Sequence, residues 1–199
     1  VSPAVQAPIV LRVSGGQSVL SELSNENWNV AIDDCVRLNA AGMALSIYVG
    51  APYEHQTLEA FADLIDAGYS AGIPVLAVTA VGRDMARDAR YLSLSSRIAA
   101  EMGANIVKTY FCENFERVTS TCPVPIVMAG GKKLAEIDAL TMAYNAVQQG
   151  AVGVDMGRNI FQSDCPIGMI KAVKAVVHFD EKPEKAIKIY EDEKKQSKG

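Results

Sequence analysis

A single lysine, Lys108, interrupts the apolar stretch ANIVKTYF at residues 104–111. Alternation along a strand places Lys108 on the same face as Ile106 and Tyr110, two residues before the stretch turns into a loop. A lysine buried there would have a lowered pKa, and its free amine could attack a carbonyl as a Schiff-base nucleophile. A lysine on an edge strand, or one paired with a buried carboxylate such as Asp155, fits the same pattern.

Two glycine-containing turns predict an anion site. Gly130 and Gly131 lie in AGGKK, between an apolar run and a helical pattern, where their small size lets backbone N–H groups approach an anion. Gly157 and Arg158 close the next apolar run, and the planar guanidinium of arginine fits a phosphate. Either motif alone is compatible with an ordinary turn. Together, on consecutive strands, they predict a phosphorylated ligand.

These residues lie at the ends of short apolar runs that alternate with helical patterns. The runs are apolar on both alternating faces, as expected for parallel strands that are buried on both sides. Alternation of strands and helices predicts an α/β protein with a parallel sheet. The six runs are residues 8–13, 44–49, 74–79, 105–110, 125–130 and 153–158.

The distribution of polar and small residues favours a TIM (β/α)8-type barrel over an open doubly wound sheet. Such residues follow four of the six runs, and a barrel spreads its site over many strand ends, whereas a doubly wound sheet gathers ligands at one switch point. Six runs are two short of a complete barrel. We therefore expect a single domain over residues 1–199 that lacks the first two strands, with a leader at 1–7 and a charged C-terminal helix or tail at 180–199.

Composition excludes several other classes of function. A formal net charge of −4 argues against nucleic-acid binding, and no apolar run is long enough to cross a membrane. The four cysteines form no CxxC pair and the two histidines lie far apart, which argues against a metal site or a disulfide framework and favours a cytoplasmic protein. Further candidates for the rim of the site are Ser14, Gly15, His55 and Glu113, with His55 as a possible acid/base.

Several longer segments resemble the class I aldolase family that groups deoxyribose-phosphate and archaeal-type fructose-bisphosphate aldolases. VKTYF, CPVPIVMAGGKKL and GAVGVDMGRNIFQS carry this resemblance, which runs from about residue 8 to residue 178. Within the family, VLRVSGGQSVLSELSNE and LAVTAVGRDMARDARYLSLSSRIAAEMGA are most similar to the thiolases of autoinducer-2 processing.

The resemblance implies a (β/α)8 barrel whose sixth strand carries the Schiff-base lysine, which corresponds to Lys108. It also implies phosphate loops at Gly130 and Gly131 after the seventh strand, and at Gly157 and Arg158 after the eighth. The implied reaction transfers an acetyl group from 3-hydroxy-5-phosphonooxypentane-2,4-dione to coenzyme A as co-substrate and leaves dihydroxyacetone phosphate. No bound cofactor or metal is implied, and family members tend to form ring-like homo-oligomers.

Two departures from the family pattern leave alternatives open. The first two strands of the family, with an Asp-His pair that takes part in catalysis, have no counterpart here. The apolar TAV at residues 79–81 stands where fructose-bisphosphate-type aldolases carry a tyrosine acid, which favours a thiolase over an aldolase. The alternatives are a class I fructose-bisphosphate-type aldolase and a truncated remnant that binds phosphate without turnover.

Overall fold

The protein folds around a parallel β-sheet that is covered by helices. The structure, a computed structural model, describes residues 7–16, 18, 20–80 and 86–197. In chain order its strands are β1 (Val10–Arg12), β2 (Ser14–Gly15), β3 (Asn27–Trp28), β4 (Gly42–Ile47), β5 (Val75–Thr79), β6 (Ile106–Tyr110), β7 (Ile126–Ala129) and β8 (Gly153–Asp155). Its helices are α1 (Ile32–Arg37), α2 (Glu54–Ala71), α3 (Ala89–Glu101), α4 (Phe115–Thr121), α5 (Glu136–Gln148), α6 (Gly157–Phe161), α7 (Pro166–Phe179) and α8 (Pro183–Gln196).

Six strands form one sheet in the order β1-β4-β5-β6-β7-β8, and each neighbouring pair is parallel. Each of the six apolar runs contributes one of these strands. Within the described part of the chain, β1 pairs only with β4 and β8 only with β7. The strands therefore make a curled half-barrel of the TIM type, incomplete in the way the count of apolar runs predicts. A separate antiparallel pair, β2 and β3, was not expected from the sequence.

The two faces of the sheet differ in exposure. Val107 and Thr109 of β6 are fully buried, and α3 packs against this strand. Lys108 and Tyr110 lie on the other face and are only partly buried, and β5 shows the same alternation. The expectation of strands buried on both faces is correct for β4. It is wrong for β5 and β6, because their second face opens into a cleft.

Helices return the chain to the sheet through glycines at positive φ. Gly72, Gly103 and Gly150 follow α2, α3 and α5 with φ of 69°, 112° and 97°. Only glycine adopts such angles without strain, so each helix ends where the next strand must begin.

The C-terminal segment forms helix α8, which packs on α5 and α7. Ala186 and Tyr190 are the buried residues of its apolar stripe, and its charged residues face outward. Residues 1–6 of the expected leader and residues 198 and 199 of the expected tail lie outside the described part of the chain. Among the described residues, no helix combines the length and apolar character that crossing a lipid bilayer requires.

Candidate active site

A cleft of about 340 Å³ lies on the exposed face of the sheet, toward the carboxyl ends of the strands. Strand register explains which side chains share it: Ser46 pairs with Val78, Val78 with Lys108, and Lys108 with Val127. Residues paired in this way project from the same face. The cleft is lined by Arg12, Ser46, Tyr48, Val78, Thr79, Ala80, Lys108, Tyr110, Ala129, Gly130, Gly131, Asp155, Gly157, Arg158 and Phe161.

Lys108 lies in the middle of this cleft and is paired with Asp155. Its Nζ donates a hydrogen bond of 2.6 Å to Asp155 Oδ2, and its side chain is 22% exposed. Asp155 is on β8, so the lysine reaches across β7. The interpretation as an edge-strand lysine is wrong because β6 is flanked on both sides. The pairing with Asp155 is present, although that carboxylate is 54% exposed rather than buried.

The two glycine turns approach each other closely. A Cβ on Gly130 would lie 2.7 Å from the Cα of Met156, so only glycine lets these two backbones meet. Gly131 adopts φ +62°, a conformation that glycine tolerates best. Gly157 and Arg158 are the first residues of α6, which follows the neighbouring strand β8. All four predicted residues line the cleft. The Arg158 side chain has no hydrogen-bond or ion-pair partner among the residues that the structure describes, so it is available to an anion.

A buried side chain, Asn159, fastens the two turns together. Its Nδ2 donates to the carbonyl oxygens of Gly130 at 2.8 Å and Lys132 at 3.1 Å. Its Oδ1 accepts from the backbone N–H of Leu134 at 2.8 Å. One hint is visible in the sequence, where this asparagine directly follows Gly157 and Arg158. Its role in bracing the loop could be seen only in three dimensions.

The charge of the AGGKK lysines is partly directed away from the cleft. Lys133 Nζ donates to Glu136 Oε1 at 2.9 Å and to the carbonyl oxygen of Leu134 at 2.6 Å. The hydrogen bond from Lys133 lowers the pKa of the Glu136 carboxyl. Lys133 therefore anchors the start of α5, and Arg158 is the cation that lines the cleft at this end.

A second polar cluster, centred on the buried carboxylate of Glu26, lies at the opposite end of the cleft. Glu26 is 1% exposed and accepts hydrogen bonds from Arg12 Nη2, from Ser14 Oγ and from Tyr48 Oη. Burial, with the Glu26 charge, raises the pKa of Tyr48 to about 12. Arg12 Nη2 also donates to Ser46 Oγ at 2.7 Å. Sequence reasoning missed this cluster, although Arg12 interrupts PIVLRV much as Lys108 interrupts ANIVKTYF.

The other rim candidates lie away from the cleft. His55 is on α2, its side chain is 93% exposed, and its Nδ1 lies 3.9 Å from Glu59 Oε2. Ser14 and Gly15 form β2 and do not line the cleft, but Ser14 supports it from behind: its Oγ donates to Glu26 and accepts from the backbone N–H of Ser46 at 3.3 Å. Val81 of the TAV segment lies outside the described residues.

Comparison with known proteins gives the cleft a family context. The chain is 58% identical over 195 residues to the 3-hydroxy-5-phosphonooxypentane-2,4-dione thiolase of Salmonella paratyphi A, covering 98% of this chain and 67% of that protein. It is 57% identical over 195 residues to an uncharacterized aldolase of Pasteurella multocida, again covering 98% of this chain and 67% of the relative. The chain thus spans about two thirds of the length of these relatives.

Solved structures agree with the fold. An archaeal fructose 1,6-bisphosphate aldolase superposes with a TM-score of 0.80 at 23% sequence identity, covering 85% of this chain and 71% of that one. Residues 2–163 match the DeoC/LacD family aldolases. From this match and the high identity with its relatives, the chain belongs to the DeoC/LacD aldolase family.

Proposed function

We propose that this protein is a lysine-dependent thiolase that transfers an acetyl group from 3-hydroxy-5-phosphonooxypentane-2,4-dione to coenzyme A. The observation that carries the proposal is the position of Lys108, in a cleft between a glycine-lined anion site and a second polar cluster. The identity of 58% with a thiolase of that name supports the choice of substrate. Among the residues that the structure describes, this cleft offers the amine of Lys108 and, at one end, the unpaired guanidinium of Arg158, which together suit a phosphorylated ketone.

Lys108 attacks the ketone carbon next to the phosphate-bearing carbon. To attack, the amine must be free of its proton, and Asp155 Oδ2 at 2.6 Å is positioned to accept it. Loss of water from the resulting carbinolamine leaves an iminium, whose positive nitrogen can receive the electron pair of a breaking carbon–carbon bond. Asp155 thus both positions the lysine and serves as its base.

The phosphate end of the substrate binds between the two turns. Gly130 shapes its turn, because it packs against the backbone of Met156 and its N–H donates to the carbonyl oxygen of Asp155 at 2.9 Å. Gly131 brings the backbone of this turn to the cleft, and Arg158 contributes a permanent positive charge from the other turn. Asn159 holds both turns in one arrangement before the substrate arrives. Such preorganisation reduces the entropy lost on binding.

Coenzyme A as co-substrate, a cytoplasmic location and a ring-like homo-oligomer complete the proposal. Support for coenzyme A comes from the thiolase name of the relatives, since a thiolase needs a thiol acceptor. Support for the location and assembly is the family resemblance. The alternative, cleavage of fructose 1,6-bisphosphate without a thiol, draws on solved structures that share only the fold with this chain.

The test is borohydride trapping with dihydroxyacetone phosphate, the expected phosphorylated product. We expect one covalent adduct on the protein by mass spectrometry, located to Lys108 by peptide mapping. Lys108→Met should abolish the adduct. Lys188→Met, which removes an exposed lysine of α8, is the matched control and should trap like the unchanged protein.

Acetyl transfer is then followed as acetyl-coenzyme A formed from the diketone. An adduct that survives Lys108→Met would contradict the role of this lysine. Cleavage of fructose 1,6-bisphosphate in the absence of coenzyme A, with no transfer from the diketone, would favour the aldolase alternative. Binding of dihydroxyacetone phosphate with neither an adduct nor transfer would favour the inactive remnant.

A further inference from the structure

A guanidinium group lies at the end of the cleft farthest along the sheet from the phosphate site. Arg12 is on β1, whereas Gly157 and Arg158 follow β8 at the other edge, and Lys108 lies between them on β6. The proposed reaction involves a second carbonyl, on the acetyl group that is transferred. Neither Lys108 nor the glycine turns serve that carbonyl.

The position of Arg12 is fixed from three sides. Its Nη2 donates to the buried Glu26 carboxylate and, at 2.7 Å, to Ser46 Oγ, and its Nε donates to the carbonyl oxygen of Ser14 at 3.4 Å. The Glu26 carboxylate is in turn held by Tyr48 at 3.1 Å. Because the guanidinium is already held in place, it needs little rearrangement when negative charge develops beside it.

Part of the guanidinium remains available to a ligand. Nη2 and Nε have protein partners, whereas the two N–H groups of Nη1 have none among the residues that the structure describes. The side chain is 52% exposed and lines the same cleft as Lys108. A planar guanidinium with unused N–H groups is a strong donor to an oxygen that carries negative charge.

Strand register places this donor on the same face of the sheet as the reacting lysine. Arg12 contacts Ser46, Ser46 pairs with Val78, and Val78 pairs with Lys108. Ser46 and Lys108 are therefore two strand spacings apart, about 10 Å between backbones, with their side chains on the same face. A five-carbon substrate with its phosphate near Arg158 and its ketone on Lys108 extends its acetyl end in this direction.

We propose that Arg12 is a catalytic residue that binds the carbonyl oxygen of the transferred acetyl group and stabilises the negative charge that forms there. Glu26, Ser46 and Tyr48 are positioning residues for it. This role rests on the proposed thiolase function: Arg12 acts in the step in which the thiolate attacks the acetyl group.

The electron flow shows why this oxygen needs a donor. The coenzyme A thiolate forms a carbon–sulfur bond to the acetyl carbonyl carbon, and the π electron pair moves onto the carbonyl oxygen facing Arg12. When the carbonyl reforms, the bond from the acetyl carbon to the hydroxyl-bearing carbon breaks, and its electron pair moves into the iminium on Lys108 to give an enamine. The hydroxyl-bearing carbon then takes up a proton equivalent to the one lost by the thiol, and water releases dihydroxyacetone phosphate from the lysine.

The test separates the two halves of the reaction in Arg12→Gln. We expect the kcat for acetyl-coenzyme A formation to fall about 100-fold, as when one oxyanion donor is removed. The concentration of dihydroxyacetone phosphate that gives half-maximal borohydride trapping should stay within about threefold of the unchanged protein, because this ligand has no acetyl group. Arg37→Gln, which removes an exposed arginine paired with Asp34 outside the cleft, is the matched control and should change neither quantity.

Arg12→Lys covers the case in which Arg12→Gln fails to fold. A lysine keeps a positive charge opposite Glu26 but lacks the planar, forked N–H groups with which a guanidinium can bind Glu26 and a ligand at once. The kcat should therefore still fall at least about tenfold, and the half-maximal concentration for borohydride trapping should stay unchanged. Equal losses in trapping and transfer, or a kcat within about threefold of the unchanged protein, would overturn the assignment. So would trapping without any acetyl transfer by the unchanged protein. Failure of the unchanged protein to trap at all would instead refute the role of Lys108.

Discussion

Replacing Asn159 with alanine should weaken binding at the phosphate site, although this side chain is not expected to contact the ligand. The asparagine is fully buried and makes three hydrogen bonds to the backbone of the loop that contains Gly130 and Gly131. None of these bonds involves an N–H or a charged group that is expected to contact the phosphate. Any effect on ligand binding must therefore pass through the position of the loop.

The magnitude follows from what the substitution leaves behind. Loss of Nδ2 leaves the buried carbonyl oxygen of Gly130 without its hydrogen-bond donor. The carbonyl oxygen of Lys132, which is more exposed, loses the same donor. Loss of Oδ1 leaves the N–H of Leu134 without its acceptor. A buried polar group without a partner costs about 1–3 kcal/mol, and the two more exposed groups can turn to water. We expect the free energy of unfolding to fall by about 2–4 kcal/mol.

Two measurements check the reasoning. Urea unfolding should show a lower midpoint with an unchanged slope, and the half-saturating concentration of dihydroxyacetone phosphate in borohydride trapping should rise about tenfold or more. Thr141→Ala is the control, because its hydroxyl bonds only to the carbonyl of Ile137 within exposed α5 surface. An Asn159→Ala protein that is within about 0.5 kcal/mol of the original and binds phosphate equally well would refute the bracing role.

Three further substitutions test other parts of the cleft. Asp155→Asn should slow borohydride trapping at least about tenfold, because an amide cannot accept the proton of the lysine. Gly130→Ala should lower the free energy of unfolding by about 1–3 kcal/mol and weaken phosphate binding, whereas Gly153→Ala, whose Cβ would meet nothing within 4 Å, should do neither. The raised pKa of Tyr48, about 12, contributes stability below pH 10 that is lost as the pH rises toward 12. Tyr48→Phe should remove about 2–3 kcal/mol of that pH dependence in urea unfolding measured at pH 9 and pH 12.

The sheet could be predicted from the sequence because its strands are local patterns. Each apolar run is short, ends in polar or small residues and is separated from the next by a helical stripe, so strand order follows almost directly from chain order. The exposed face of β5 and β6 could not be predicted, because periodicity records which residues are apolar and not what covers them.

The candidate site was predicted where its residues stand out within a strand or a turn. Lys108 and the two glycine turns have unusual residue types at the ends of apolar runs, and the fold brings them into one cleft. Glu26 and Asn159 could not be found in this way. A carboxylate in a loop and an asparagine in a short helix are ordinary in sequence, and only the fold shows that each is buried and what it holds.

The arrangement of charge across the cleft links these observations into one account of the reaction. The three cations differ in their carboxylate partners. Arg158 has no acidic partner within the described part of the chain. Lys108 is paired with the half-exposed Asp155, and Arg12 is paired with the fully buried Glu26. A free arginine suits a permanent dianion such as a phosphate. A lysine beside an accessible carboxylate suits a group that must exchange its proton during each turnover. An arginine locked to a buried carboxylate suits an oxygen whose charge is transient, because its free N–H groups are already in place when that charge forms. In the proposed reaction, the order of the three along the sheet matches the order of phosphate, ketone and acetyl group along the substrate.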